Sequence, residues 1–129
     1  VVRPKAIAGA LLLTLTLLNP VWAAPGDGAG FTVEHTFDAI SSASSDSGVS
    51  YSLMVGIVRC ETGGTFNPYI EGDGGHSHGI AQLNDYGNAL SAFYAAGYDD
   101  PYNPYQAAYF MAEALNGRYK HLGRWTWNC

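Results

Sequence analysis

The residue best suited to acid chemistry is Glu61, which ends an apolar run and is followed almost at once by Gly63-Gly64. Ser50 is a good N-cap, and Leu53, Met54, Ile57 and Val58 recur as a helical stripe, so Glu61 falls at or near a helix C-terminus. The partial negative charge there disfavours a carboxylate and raises the pKa of a nearby acid. A glycoside-cleaving enzyme needs such a group, still protonated near neutral pH, to protonate the leaving oxygen. The plain alternative is an exposed helix-end Glu paired with Arg59. A second carboxylate would decide the mechanism, and the candidates are Glu71, Asp73 and Asp85, none of them in an unambiguous motif. An inverting hydrolase sets such a base about 6.5 to 9.5 Å from the acid so that it can activate water. Loop solvation and turn capping are the competing roles for these carboxylates.

His76-Ser77-His78 offers two imidazoles, but no third ligand stands at a recognisable spacing, so no metal is expected. The Gly-rich run from Glu71 to Gly79 lacks the Lys-Ser/Thr of a phosphate-binding loop, and no cofactor is expected. Tyr69, Tyr86, Tyr102, Tyr105 and Tyr109 are candidates for stacking on sugar rings, with core packing the commoner fate of any one of them.

The elements that must position these residues are short. Phe31 to Gly48 shows Phe37, Ile40 and Ala43 at helical spacing, yet five serines weaken it, and pattern alone leaves helix or linker open. Gly63 to Asp85 reads as turns, with room for one short hairpin and no long helix. A short helix comes next, between Asn88 and Ala96. Asn103, Pro104 and Gln106 then form a capping-box opening to a helix reaching Asn116, with the stripe Ala108, Met111, Ala112 and Leu115. The fold class is therefore mainly α, with α+β left open.

Residues 1–23 carry Arg3 and Lys5, an apolar stretch from Ala6 to Leu18, and Val21-Trp22-Ala23, the pattern of a cleavable secretory signal. That stretch is shorter than the roughly 20 residues a bilayer requires. Residues 24–36 read as a flexible leader and 37–129 as the folded domain. In an oxidising compartment the two cysteines, Cys60 and Cys129, are expected to pair. Of the six basic residues, Arg3 and Lys5 lie in the signal, leaving four against eleven acidic ones, a balance of −7. Such a charge argues against nucleic acid as a partner. The exported chain is expected to be a monomer with no membrane attachment.

The stretch Arg59-Cys60-Glu61-Thr62-Gly63-Gly64-Thr65-Phe66-Asn67-Pro68, with Gly79-Ile80-Ala81-Gln82 after it, resembles the lysozyme-like superfamily of soluble lytic transglycosylases, goose-type lysozymes and resuscitation-promoting factors. These families have a Glu-Ser-Gly-type motif at a helix end and a later Gly-Leu-Met-Gln-type motif. Thr62 and Ile80-Ala81 are mild departures. The Cys-Glu-Thr-Gly-Gly run and the closing Trp125-Thr126-Trp127-Asn128-Cys129 look most like resuscitation-promoting factors, which also join a Cys before the Glu to a C-terminal Cys. Asp100-Pro101 and Asn103, leading into Phe110-Met111, are similar to a looser transglycosylase pattern.

The resemblance implies a lysozyme-like domain with a first helix ahead of Gly48, Glu61 as catalytic acid and Gln82 in the substrate groove, with Asp73 or Asp85 as second carboxylate if one is used. Tyr86 and Tyr105 are the tyrosines taken as substrate-binding. The implied activity is secreted, lytic-transglycosylase cleavage of the peptidoglycan glycan strand. A muramidase of the same fold and a non-catalytic glycan-binding module are the alternatives.

Overall fold

The computed structural model describes residues 30–120 and Trp127. The signal at 1–23 and Cys129 lie outside the described residues. Among the described residues are four α-helices and one three-stranded antiparallel sheet, a mixed architecture within the expected mainly α or α+β range. No helix there is long and apolar enough to cross a membrane.

Helix α1 spans Val33–Ser47, so it begins four residues before the expected start of the domain. The reason is a cap that pattern did not disclose. The Thr32 hydroxyl accepts from the His35 amide, while the Thr32 amide donates to His35 Nδ1 at 3.0 Å, a reciprocal box with His in place of the usual Glu or Gln. The serines face outward or bond locally, and Thr36, Ala39, Ile40 and Ala43 form the buried face. Helix α2, Tyr51–Glu61, is capped by the Ser50 hydroxyl, which accepts from the Leu53 amide at 3.2 Å. Met54 and Val58 are fully buried; Leu53, part of the expected stripe, is half exposed.

After α2 come β1 (Glu71–Gly72), a 3₁₀ turn (Asp73–Gly75), β2 (Ser77–His78) and β3 (Leu83–Asn84), in sheet order β1-β2-β3. Glu71 pairs with His78 and Gly72 with Ser77; Ser77 pairs in turn with Asn84 and His78 with Leu83. Two close approaches require glycine here. A Cβ on Gly79 would stand 2.1 Å from the Pro101 carbonyl oxygen, and one on Gly72 would stand 2.3 Å from Gln82 Oε1. The glycine at 79 thus lets the end of β2 lie against the turn at Pro101.

Helix α3 covers Ala89–Ala95 and α4 covers Pro104–Leu115. Asn103 caps α4 as expected, accepting from the Tyr105 amide at 2.9 Å. Gln106 turns forward rather than back to the cap. Its Oε1 accepts from the Asp99 and Asp100 amides at 2.8 and 3.0 Å, which fixes the turn in front of the helix. Helix α4 is the centre of the core, with Ala107, Ala108, Phe110, Met111 and Ala112 all buried. It packs on α1, and Phe110 meets Phe93 of α3 edge to face at 5.4 Å.

Candidate active site

Glu61 is the last residue of α2, and its position is set by the loop from Thr62 to Phe66. Thr62, almost wholly buried, donates its hydroxyl to the Val58 carbonyl at 2.7 Å and accepts the Phe66 amide at 2.9 Å. The Gly64 amide bonds back to the Arg59 carbonyl at 2.7 Å and closes the helix. Thr36 of α1 then donates to the Phe66 carbonyl at 2.9 Å, tying the loop to α1. Arg59 lies over the Phe66 ring, 5.8 Å from its centroid.

The Glu61 carboxyl is half-buried, and its pKa is raised first by that burial and second by the charge of Asp73. The direction matches the expectation from sequence. The causes lie elsewhere, in desolvation and in a carboxylate twelve residues further along the chain.

Asp73 is held for this role by the sheet. Its Oδ2 accepts from the Ser77 hydroxyl and, at 3.4 Å, from Asn84 Nδ2, which also reaches Ser77 Oγ at 3.0 Å. Ser77 and Asn84 are cross-strand partners. Neither stood out in the sequence, although strand alternation places both on the face opposite His78. Asp73, Phe66 and Gln82 are the non-glycine residues with positive φ among those described, and all three lie between the end of α2 and β3. Strained backbone gathers at this part of the molecule.

Asp85 is placed differently. It is exposed, its Oδ1 lies 2.8 Å from His76 Nδ1 and its Oδ2 lies 3.0 Å from His78 Nε2, and these bonds lower its pKa. The network continues at both ends. His76 stacks on Tyr86 with centroids 3.8 Å apart and bonds its hydroxyl through Nε2 at 2.7 Å. His78 Nδ1 lies 2.7 Å from the Tyr102 hydroxyl, which donates to Glu71. Burial, then the bond to Glu71, push Tyr102 up to about 12. Among the described residues no group of three or more His, Cys, Asp or Glu could hold a metal.

The remaining expected site residues divide. Among the described residues Tyr86 is the most exposed large aromatic, at 77%, with its hydroxyl bonded to His76. Tyr105 is buried at 5% exposure, and its hydroxyl donates to Asp38 of α1 at 2.7 Å, so its ring packs α4 on α1 and is not open to a sugar. Gln82 turns inward, donating Nε2 to the Gly79 carbonyl at 2.9 Å, and so braces the loop from within. Cys60 is disulfide-bonded, and its expected partner Cys129 is outside the described residues. Trp127 Nε1 donates to the Ala81 carbonyl at 2.8 Å, which places the Trp127 ring against the Gly79 to Gln82 loop.

The fold and site together define a small mixed domain with a half-buried carboxyl at a helix end, its pKa raised by burial and by the charge of Asp73. Comparison with protein-family models, with curated proteins and with solved structures finds no match to this chain.

Proposed function

We propose that this chain is a secreted, peptidoglycan-cleaving enzyme of lytic transglycosylase type, cutting the β-1,4 bond between N-acetylmuramic acid and N-acetylglucosamine. The observation that carries the reading is Glu61, a half-buried carboxyl raised by burial and by Asp73 at the end of α2. Such a group is suited to protonate the glycosidic oxygen. As carboxylate it then takes the proton from the muramic acid 6-hydroxyl, which closes on the anomeric carbon. The hydroxyl is held within the substrate, so proximity replaces a positioned water. Asp85, bonded by two imidazoles, is poorly suited to act as a base.

A second reading, hydrolysis by a muramidase, is favoured by one observation. Asp73 acts electrostatically on Glu61 and is held by Ser77 and Asn84, which suits a base that activates water. A glycan-binding module without turnover is the third. Mass spectrometry of products from digested peptidoglycan decides among them. Transglycosylation gives 1,6-anhydromuramoyl ends, one water lighter than hydrolysis products and free of label from ¹⁸O-water. Reducing ends that carry the label mean hydrolysis, and uncut strands mean a binding module.

A further inference from the structure

His78 on β2 faces groups from three other parts of the chain. Nδ1 lies 2.7 Å from the Tyr102 hydroxyl, in the turn before α4, and 3.5 Å from Glu71 Oε2 on β1; Nε2 lies 3.0 Å from Asp85 Oδ2, just after β3. The protons can be counted. A carboxylate only accepts, so the single Tyr102 hydroxyl proton goes to Glu71. The tyrosine oxygen must then accept from His78, which requires a hydrogen on Nδ1. Asp85 also only accepts while ionised, which requires a hydrogen on Nε2. Both bonds exist together only when His78 is an imidazolium. His76 differs. Its Nδ1–H donates to Asp85 and its Nε2 accepts from the Tyr86 hydroxyl, so the neutral ring satisfies both bonds.

The geometry points to His78, donating through both ring nitrogens as a cation, as the positioning residue that clamps β1, the segment after β3 and the turn before α4 together, and so keeps Asp73 opposite Glu61. The clamp and the Asp73 support use neighbouring residues of β2 and of the end of β3. His78 adjoins Ser77 and Asp85 adjoins Asn84, and Ser77 and Asn84 are the two side chains that hold Asp73. Loss of the His78 proton either draws the Tyr102 hydrogen onto Nδ1 and leaves Glu71 without its donor, or leaves Nε2 as an acceptor facing the Asp85 carboxylate. Three sides of the clamp then carry Glu71, Asp85 and Tyr102, with Asp100 acting on Tyr102, and no cation among those groups offsets them. The hairpin loosens and Asp73 no longer acts fully on Glu61.

The consequence for turnover rests on the reading of Glu61 as general acid; the clamp itself does not. The test therefore uses the intact exported chain, ¹⁵N- and ¹³C-labelled, in a pH titration followed by NMR without substrate. The expected result is that, with Asp85 ionised and at a pH where an unpartnered imidazole is mostly neutral, both His78 ring nitrogens still carry hydrogens. As His78 loses its proton, the Ser77 and Asn84 amide resonances should shift with it. In His78→Gln the Glu61 carboxyl should titrate at lower pH than in wild type while the melting transition is retained. A singly protonated His78 at that same pH overturns the charge assignment. Ser77, Asn84 and Glu61 signals indifferent to His78 overturn the positioning role. The wild-type titration stands even if the variant fails to fold. Failure to cleave peptidoglycan would reject the proposed function and leave this result untouched.

Discussion

At the end of α2, Glu61 is half-buried, and burial with the nearby Asp73 pushes its carboxyl up. At the far end of the hairpin, Asp85 stands at the surface, and two imidazoles hold its carboxyl down. The same functional group is pushed in opposite directions by its surroundings, the kind of divergence that separates acid from base roles where two carboxyls share a site. The contrast also ranks the two candidate second carboxylates. Asp73 acts on Glu61, while Asp85 is occupied with the two histidines and serves the hairpin.

Removing the donor should have the largest effect. Glu61→Gln is nearly isosteric but has no titratable proton, and cleavage of purified peptidoglycan should fall by about 10²- to 10⁴-fold, the usual range for a general acid. Circular dichroism and melting should stay close to wild type. Substantial residual activity in a folded variant would remove Glu61 from the chemistry and reduce the contrast with Asp85 to an electrostatic curiosity.

Asp73→Asn comes next. Without that charge Glu61 keeps the upward push of burial and loses the second one, so its carboxyl titrates lower. The acid form then disappears at lower pH, and the alkaline limb of kcat/KM moves down in pH. Activity retained at acid pH with anhydro products fits transglycosylation. Activity lost at every pH, from an enzyme whose products are reducing, makes Asp73 the base.

A smaller effect is expected on stability at the α2 end. Thr62→Val keeps the shape but leaves the buried Phe66 amide without its acceptor. That should cost about 1–3 kcal/mol in chemical denaturation. An unchanged midpoint would mean that the loop after Glu61 is not fixed by Thr62.

The two regions were unequally legible in the sequence, for physical reasons. Helix α2 and the Asn103 cap of α4 could be read because caps and apolar spacing are local signals. The sheet could not, since each strand is two residues long and periodicity needs more. His76, His78 and Asp85 were visible as residues, but their convergence depends on a register that no local pattern reports. Tyr105 looked like Tyr86 as a sugar-stacking candidate; burial separates them, and burial is a tertiary property. The raised Glu61 was expected for its place on the helix, whereas the causes found are a packed surrounding and a partner from the hairpin.

The smallest expected effect tests the contrast at its root, in the pH dependence of stability. Asp85 has a folded-state pKa below its unfolded value, so its contribution is present above the ordinary carboxylate range and is lost as pH falls through the depressed value. Asp85→Asn should therefore flatten the acid side of the stability curve. Glu61 has the opposite sign. Its folded-state pKa is raised, the folded state binds more proton between the two values, and stability declines as pH rises through that window. Glu61→Gln removes this decline, so the variant should melt slightly above wild type on the alkaline side and no higher on the acid side. Both shifts should be small, because each carboxyl keeps contact with water and is screened by it. Melting curves of wild type and the two variants at matched ionic strength, from acid to neutral pH, read both slopes. Slopes of the same sign would mean that the two carboxyls are not sorted by their environments, and the assignment of donor and anion would fail together.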